Sequence, residues 1–164
     1  MQPGATVDEI ARLAYDEART ALREQDATLS NVRNRATALL AAAAVGTSFA
    51  ATVGLLNTDP GRGQVVPAWA GWALLLLVIL VGAGVMVVLW PVPDWKFGPS
   101  PRKLLDSVGA DVQGVLHAAT EAMIAALAFN DRRLRQRMNA YRATVVVLMT
   151  QVAMLVVIMI LARS

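Results

Sequence analysis

Hydrophobic and polar positions fall into blocks along this chain. Residues 36–56, 68–90 and 143–162 are almost continuously apolar, and the last of these holds no charged side chain. About twenty residues at roughly 1.5 Å rise each span a hydrocarbon core of about 30 Å. Each block is therefore long enough for one membrane-crossing helix. The polar stretches read differently. In 1–35, Val7, Ile10, Ala14, Ala18, Ala21 and Leu22 share one helical face, with Asp8, Glu9, Arg12, Asp16, Arg19, Arg23 and Glu24 around the rest. Beyond the second block, Leu105, Val108, Val112, Val115, Ala119, Ala122, Ala126 and Phe129 recur at three and four residues, the stripe of a second amphipathic helix.

The pattern thus predicts an all-α integral membrane protein. Its parts are a cytoplasmic helix over 1–35, spans over 36–56, 68–90 and 143–162, and a cytoplasmic helical stalk over 100–142. The 104–161 stretch reads as a stalk running into an anchor. One continuous helix would serve, but Gly109 and Gly114 weaken its start and leave a kink or hairpin open. Thr6 and Glu9 have the spacing of a capping box, which marks the first helix start. No Pro or Gly lies between Ala5 and Val45, so that helix can run into the first span. Asp59-Pro60-Gly61 marks a turn between spans one and two. Pro91, Pro93, Pro99 and Pro101 break the chain after span two, and Ser100-Pro101 reads as an N-cap with proline at the first helical position. Trp69 and Trp72 at one end of span two and Trp90 and Trp95 at the other suit an interfacial belt.

Charge orients this layout. The N-terminal segment holds five Lys/Arg and 91–142 holds eight, against Arg62 in the intervening loop and Arg163 in the tail. The positive-inside bias places the N-terminus and stalk in the cytoplasm and the C-terminus outside, in a multi-pass inner-membrane protein. Six acids before the first apolar block argue against a cleaved signal and for an uncleaved anchor.

Composition removes several chemistries. With no cysteine, disulfides, thiol catalysis and Cys-ligated metals are excluded, and His117 alone makes no metal site. No phosphate loop or hydrolase motif is present, and Asp106, Asp111 and Glu121 do not share one helical face. The expectation is a protein that is not an enzyme, with no cofactor, no metal and no nucleic-acid partner. The lipid bilayer is the expected partner, together with further copies of the chain. Gly46, Ala50 and Gly54 form a small-residue row that suits close helix packing, or reflects an alanine-rich composition. Gln151, near the centre of span three, suits helix–helix bonding or the lining of a pore. Arg33 and Arg35 before span one, and Arg132, Arg133, Arg135 and Arg137 before span three, suit anionic lipid or a phosphate-bearing ligand.

The layout resembles the Pycsar transmembrane effectors of bacterial anti-phage defence and the related SLATT-type effectors. The resemblance lies in the run Ser30-Asn31-Val32-Arg33-Asn34-Arg35-Ala36-Thr37-Ala38-Leu39-Leu40 leading into span one. It lies also in Ala128-Phe129-Asn130-Asp131-Arg132-Arg133-Leu134-Arg135-Gln136-Arg137, followed by Tyr141-Arg142-Ala143. The family usually carries an acid and a lysine where this chain has Asn31 or Asn34 and Arg35. The resemblance implies a homo-oligomeric membrane effector that responds to a cyclic nucleotide and impairs the host membrane, with the six arginines around its cytoplasmic mouth. A membrane scaffold or accessory subunit binding a protein partner, and a holin-like lesion former, are the other readings of the same pattern.

Overall fold

The computed structural model describes residues 6–56, 68–106 and 111–161, apart from the side chains of 49–56, 68, 105 and 161. The expected turn at Asp59-Pro60-Gly61 lies outside them. Four helices form: α1 (Val7–Leu56), α2 (Ala68–Leu89), α3 (Pro101–Leu105) and α4 (Val112–Leu161). No strand occurs among the described residues. Two helices are long and apolar enough to cross a membrane, over Trp69–Leu89 and within Val112–Ile160. The block at 36–56 forms the last part of α1.

The helix starts follow from local chemistry. Glu9 Oε2 accepts the Thr6 N–H at 2.8 Å and the Glu9 N–H donates to Thr6 Oγ1 at 3.4 Å, closing the expected capping box. Hydrogen bonding of the carboxylate to the Thr6 backbone N–H, and then to the Thr6 side chain, holds the exposed Glu9 carboxyl below its ordinary pKa. The stalk forms as two helices. A helix begins at Pro101 as expected, with Ser100 extended before it but its hydroxyl making no cap bond. It ends at Leu105, and Asp106 is its C-cap. A new helix then begins at Val112, because Asp111 caps it: Oδ1 accepts from Gln113 N–H at 3.2 Å and Oδ2 from Gly114 N–H at 3.1 Å. From Val112 onward the helix is continuous through Leu161. Val108 of the sequence stripe lies outside the described residues.

The chain folds as two compact units. The polar unit comprises 1–30 and 91–136, and the apolar unit comprises 31–90 and 137–164. In the polar unit, Ala18 and Leu22 of α1 pack on Met123 and Ala126 of α4, with Tyr15 and Leu127 at the edge. In the apolar unit, Ala36 and Ala43 of α1, Val81, Val85 and Val88 of α2, and Leu148 of α4 form the core.

The buried and half-buried positions of α1 step by seven residues: Ala11, Ala18, Gln25, Val32, Leu39 and Gly46 on one row, and Tyr15, Leu22, Leu29, Ala36 and Ala43 on the next. This is the seam of a coiled coil, in which a 3.5-residue repeat keeps one stripe facing a partner helix. The matching seam on α4 has an unusual content. Asn130, Arg137, Thr144 and Gln151 are all buried, all polar and seven residues apart, with Leu134, Tyr141 and Leu148 between them.

Candidate functional site

The polar row of α4 gives each unit its specific contacts. Asn130 is fully buried in the polar unit. Its Oδ1 accepts the Lys96 N–H at 3.1 Å and its Nδ2 donates to the Lys96 carbonyl at 2.8 Å. One amide thus satisfies both backbone groups of a residue in the proline-broken segment, where no ladder supplies partners. Gly98 follows at φ +97, a conformation that favours glycine, and a side chain there would meet Leu22 Cδ1 at 3.2 Å and Met123 Cγ at 3.4 Å. Gln25 Nε2 ties α1 to the Leu127 carbonyl of α4 at 3.2 Å.

Arg137 does comparable work in the apolar unit. Pro91 follows α2 and has no N–H to continue it, so the last carbonyls of α2 need donors from elsewhere. Arg137 supplies them: Nη1 donates to the Val88 carbonyl and Nη2 to the Trp90 carbonyl, the latter at 2.5 Å. The guanidinium also sits at the negative end of the α2 dipole. Thr144 bonds the Ala140 carbonyl at 2.8 Å and meets Gly84 of α2, where a Cβ would collide with Thr144 Oγ1. Gly82, two residues away, faces open space. Gln151, 2% exposed, donates to Thr47 Oγ1 at 3.5 Å, while Thr47 donates to the Ala43 carbonyl at 2.7 Å. The Gln151 Oε1 is buried with no hydrogen-bond partner.

The sequence-predicted residues are thus distributed. The six arginines divide between the units: Arg132, Arg133 and Arg135 belong to the polar one, and Arg33, Arg35 and Arg137 to the apolar one. Arg132 is exposed. Arg133 lies over the Phe129 ring at 5.8 Å, and Arg135 pairs with Asp131 one turn earlier. Arg35 Nε donates to Asn31 Oδ1 at 3.2 Å, whereas the Arg33 Nε is buried without a partner. Arg137 is committed to the end of α2 and is structurally the most engaged of the set. A Cβ added at Gly46 would find nothing within 4 Å, so no neighbouring helix approaches closely at Gly46 in the single chain. Ala50 and Gly54 lie on α1 but outside the described side chains. His117 is exposed, 3.4 Å from Glu121.

Reading charge clusters missed Asn130 and obscured Arg137. The spacing of seven joins them to Thr144 and Gln151, and that spacing was available in the sequence. No group of three or more metal-ligating side chains occurs among the described residues. Comparison with protein-family models, with curated proteins and with solved structures finds no match for this chain.

Proposed function

We propose that this chain is a three-span, non-enzymatic inner-membrane effector of bacterial anti-phage defence that acts as a homo-oligomer. A cyclic nucleotide triggers it, and the spans then perturb the bilayer. The observation that carries the membrane part is the polarity of the apolar unit. Its exterior exposes Leu75, Leu76, Ile79, Leu80, Met86 and Val87 on α2, and Val146, Met149, Val152, Val156, Val157 and Ile160 on α4. Its interior holds Arg137, Thr144 and Gln151. Water disfavours so broad an apolar exterior, while lipid favours it and leaves buried polar groups to bond inside. The Lys/Arg asymmetry of the sequence supports a cytoplasmic N-terminus and an external C-terminus. The defence role rests on the resemblance of layout. A scaffold that binds a protein partner is the second reading, favoured by Val7, Ile10 and Leu13, which are exposed together on the first turns of α1.

The test is membrane potential in cells expressing the chain, with and without a co-expressed cyclase that makes a cyclic pyrimidine nucleotide. Collapse only with the cyclase is expected. Collapse without it indicates a holin-like lesion former, and an unchanged potential in both conditions leaves the scaffold. Because the chain lacks cysteine, one cysteine introduced at Arg163 reports the side of the C-terminus by labelling with an impermeant reagent.

A further inference from the structure

The polar unit is net acidic by sequence, with nine Lys/Arg and eleven Asp/Glu. One concavity in it runs against that balance. A crevice of about 190 Å³ is lined by Arg19, Arg23 and Asp26 of α1 and by Trp95, Lys96 and Phe97 of the proline-broken segment. The lining thus includes three basic residues and one acidic residue. Arg19 and Arg23 stand one turn apart, where like charges repel, and neither has an ion pair or hydrogen bond among the described residues. The Lys96 ammonium rests 4.7 Å from the centre of the Phe129 ring, which Arg133 also approaches. The backbone that carries the aromatic residues is held: the buried Asn130 amide bonds both the N–H and the carbonyl of Lys96, and the chain turns at Gly98 against α1 and α4. Trp95 is half-buried, and Phe97 is 77% exposed.

Two arginines with no ion pair or hydrogen bond among the described residues, beside the aromatic residues Trp95 and Phe97, match a phosphate carried beside a planar or apolar group. Arginine binds phosphate through paired N–H donors, and the rings accept the neighbouring moiety. We propose that this crevice binds a phosphate ester. It rests on the proposed function only for the source of the ester, a free nucleotide for a triggered effector or a lipid headgroup for a unit held against a bilayer. Asp26 opposes the bound anion and sets an upper limit on affinity.

The experiment uses the full chain in nanodiscs. Calorimetry with cyclic UMP and with phenyl phosphate, in zwitterionic lipid, tests a free ester. Exchange of phosphatidylglycerol into the discs, followed by Trp fluorescence, tests a headgroup. Saturable binding in either arm is expected, with affinity about tenfold lower in the Arg19→Gln/Arg23→Gln variant. Asp26→Asn should tighten the same binding severalfold, a gain that misfolding does not produce. Absence of saturable binding in both arms, or binding indifferent to both variants, overturns the proposal. Binding that follows this pattern without any depolarisation in cells leaves the crevice standing and removes the effector reading.

Discussion

The polar and apolar units use the same two helices, yet each obtains its third wall by different physics. In both, α1 and α4 pack along seams of seven-residue period. The polar unit adds the irregular segment 91–100, whose backbone must find hydrogen bonds, and a single buried amide, Asn130, provides them for Lys96. The apolar unit adds a smooth helix, α2, whose interior backbone is satisfied within the helix and at whose C-terminal end Arg137 takes the Val88 and Trp90 carbonyls. Irregular backbone is acceptable beside polar partners, and in lipid a regular helix avoids the need for them. The side chains follow the same division: most exposed charges lie on one unit, and most large exposed aliphatic groups lie on the other.

The comparison breaks most severely at Arg137. Replacing it with Met leaves two carbonyls at the end of α2 without their charged donor, at about 1.5–3 kcal/mol for a bond to a charged group. Arg137→Met should give the largest fall in melting temperature, measured by circular dichroism in detergent. Second is Asn130→Ala, which strands the Lys96 N–H and carbonyl at a cost of about 2 kcal/mol. Hydrogen exchange at 92–98 should accelerate while the helical amides of α2 stay protected. Equal acceleration in both places would show that the units are not separate in stability.

Gly84 and Gly82 sharpen the contrast within a single helix. A methyl at Gly84 collides with Thr144 and should destabilise by about 1–3 kcal/mol, whereas Gly82→Ala should be near neutral. Adding Thr144→Ala to Gly84→Ala should recover most of the loss in the same thermal assay, as a shared contact requires. The smallest effect lies at the start of α1. The Glu9 carboxyl is held below its ordinary pKa, so its contribution is present above the unfolded value of about 4.3. It is lost as the pH falls through the lower folded value. Amide exchange at residues 7–10 should rise below that range, and Glu9→Gln should flatten the response.

The sequence made much of this legible. Block hydrophobicity located the helices, Thr6 and Glu9 marked a start, and the prolines marked the break after α2. These features depend on neighbours in the chain. The new start at Val112 depends on Asp111 turning back to cap a helix, a choice that Gly109 and Gly114 left open and the stripe through Leu105 and Val108 did not decide. The difference between Gly82 and Gly84 depends on where Thr144 lies, 60 residues later in the chain. Charge clustering also grouped Arg137 with Arg132, Arg133 and Arg135. Proximity in sequence outweighed the helical phase that turns Arg137 inward with Thr144 and Gln151. The crevice at Arg19 and Arg23 was missed because its two walls are separated by about seventy residues of chain.

The Arg137 clasp also imposes an order on biosynthesis. The carbonyls it binds are 47 and 49 residues upstream. At about 10 residues per second, the ribosome delivers the arginine roughly 5 s after the end of α2 has been made. Through that interval the nascent α2 has an open terminus, which water or lipid headgroups must serve. Synthesis of α4 supplies the permanent donor, so the apolar unit closes only after Arg137 has been made.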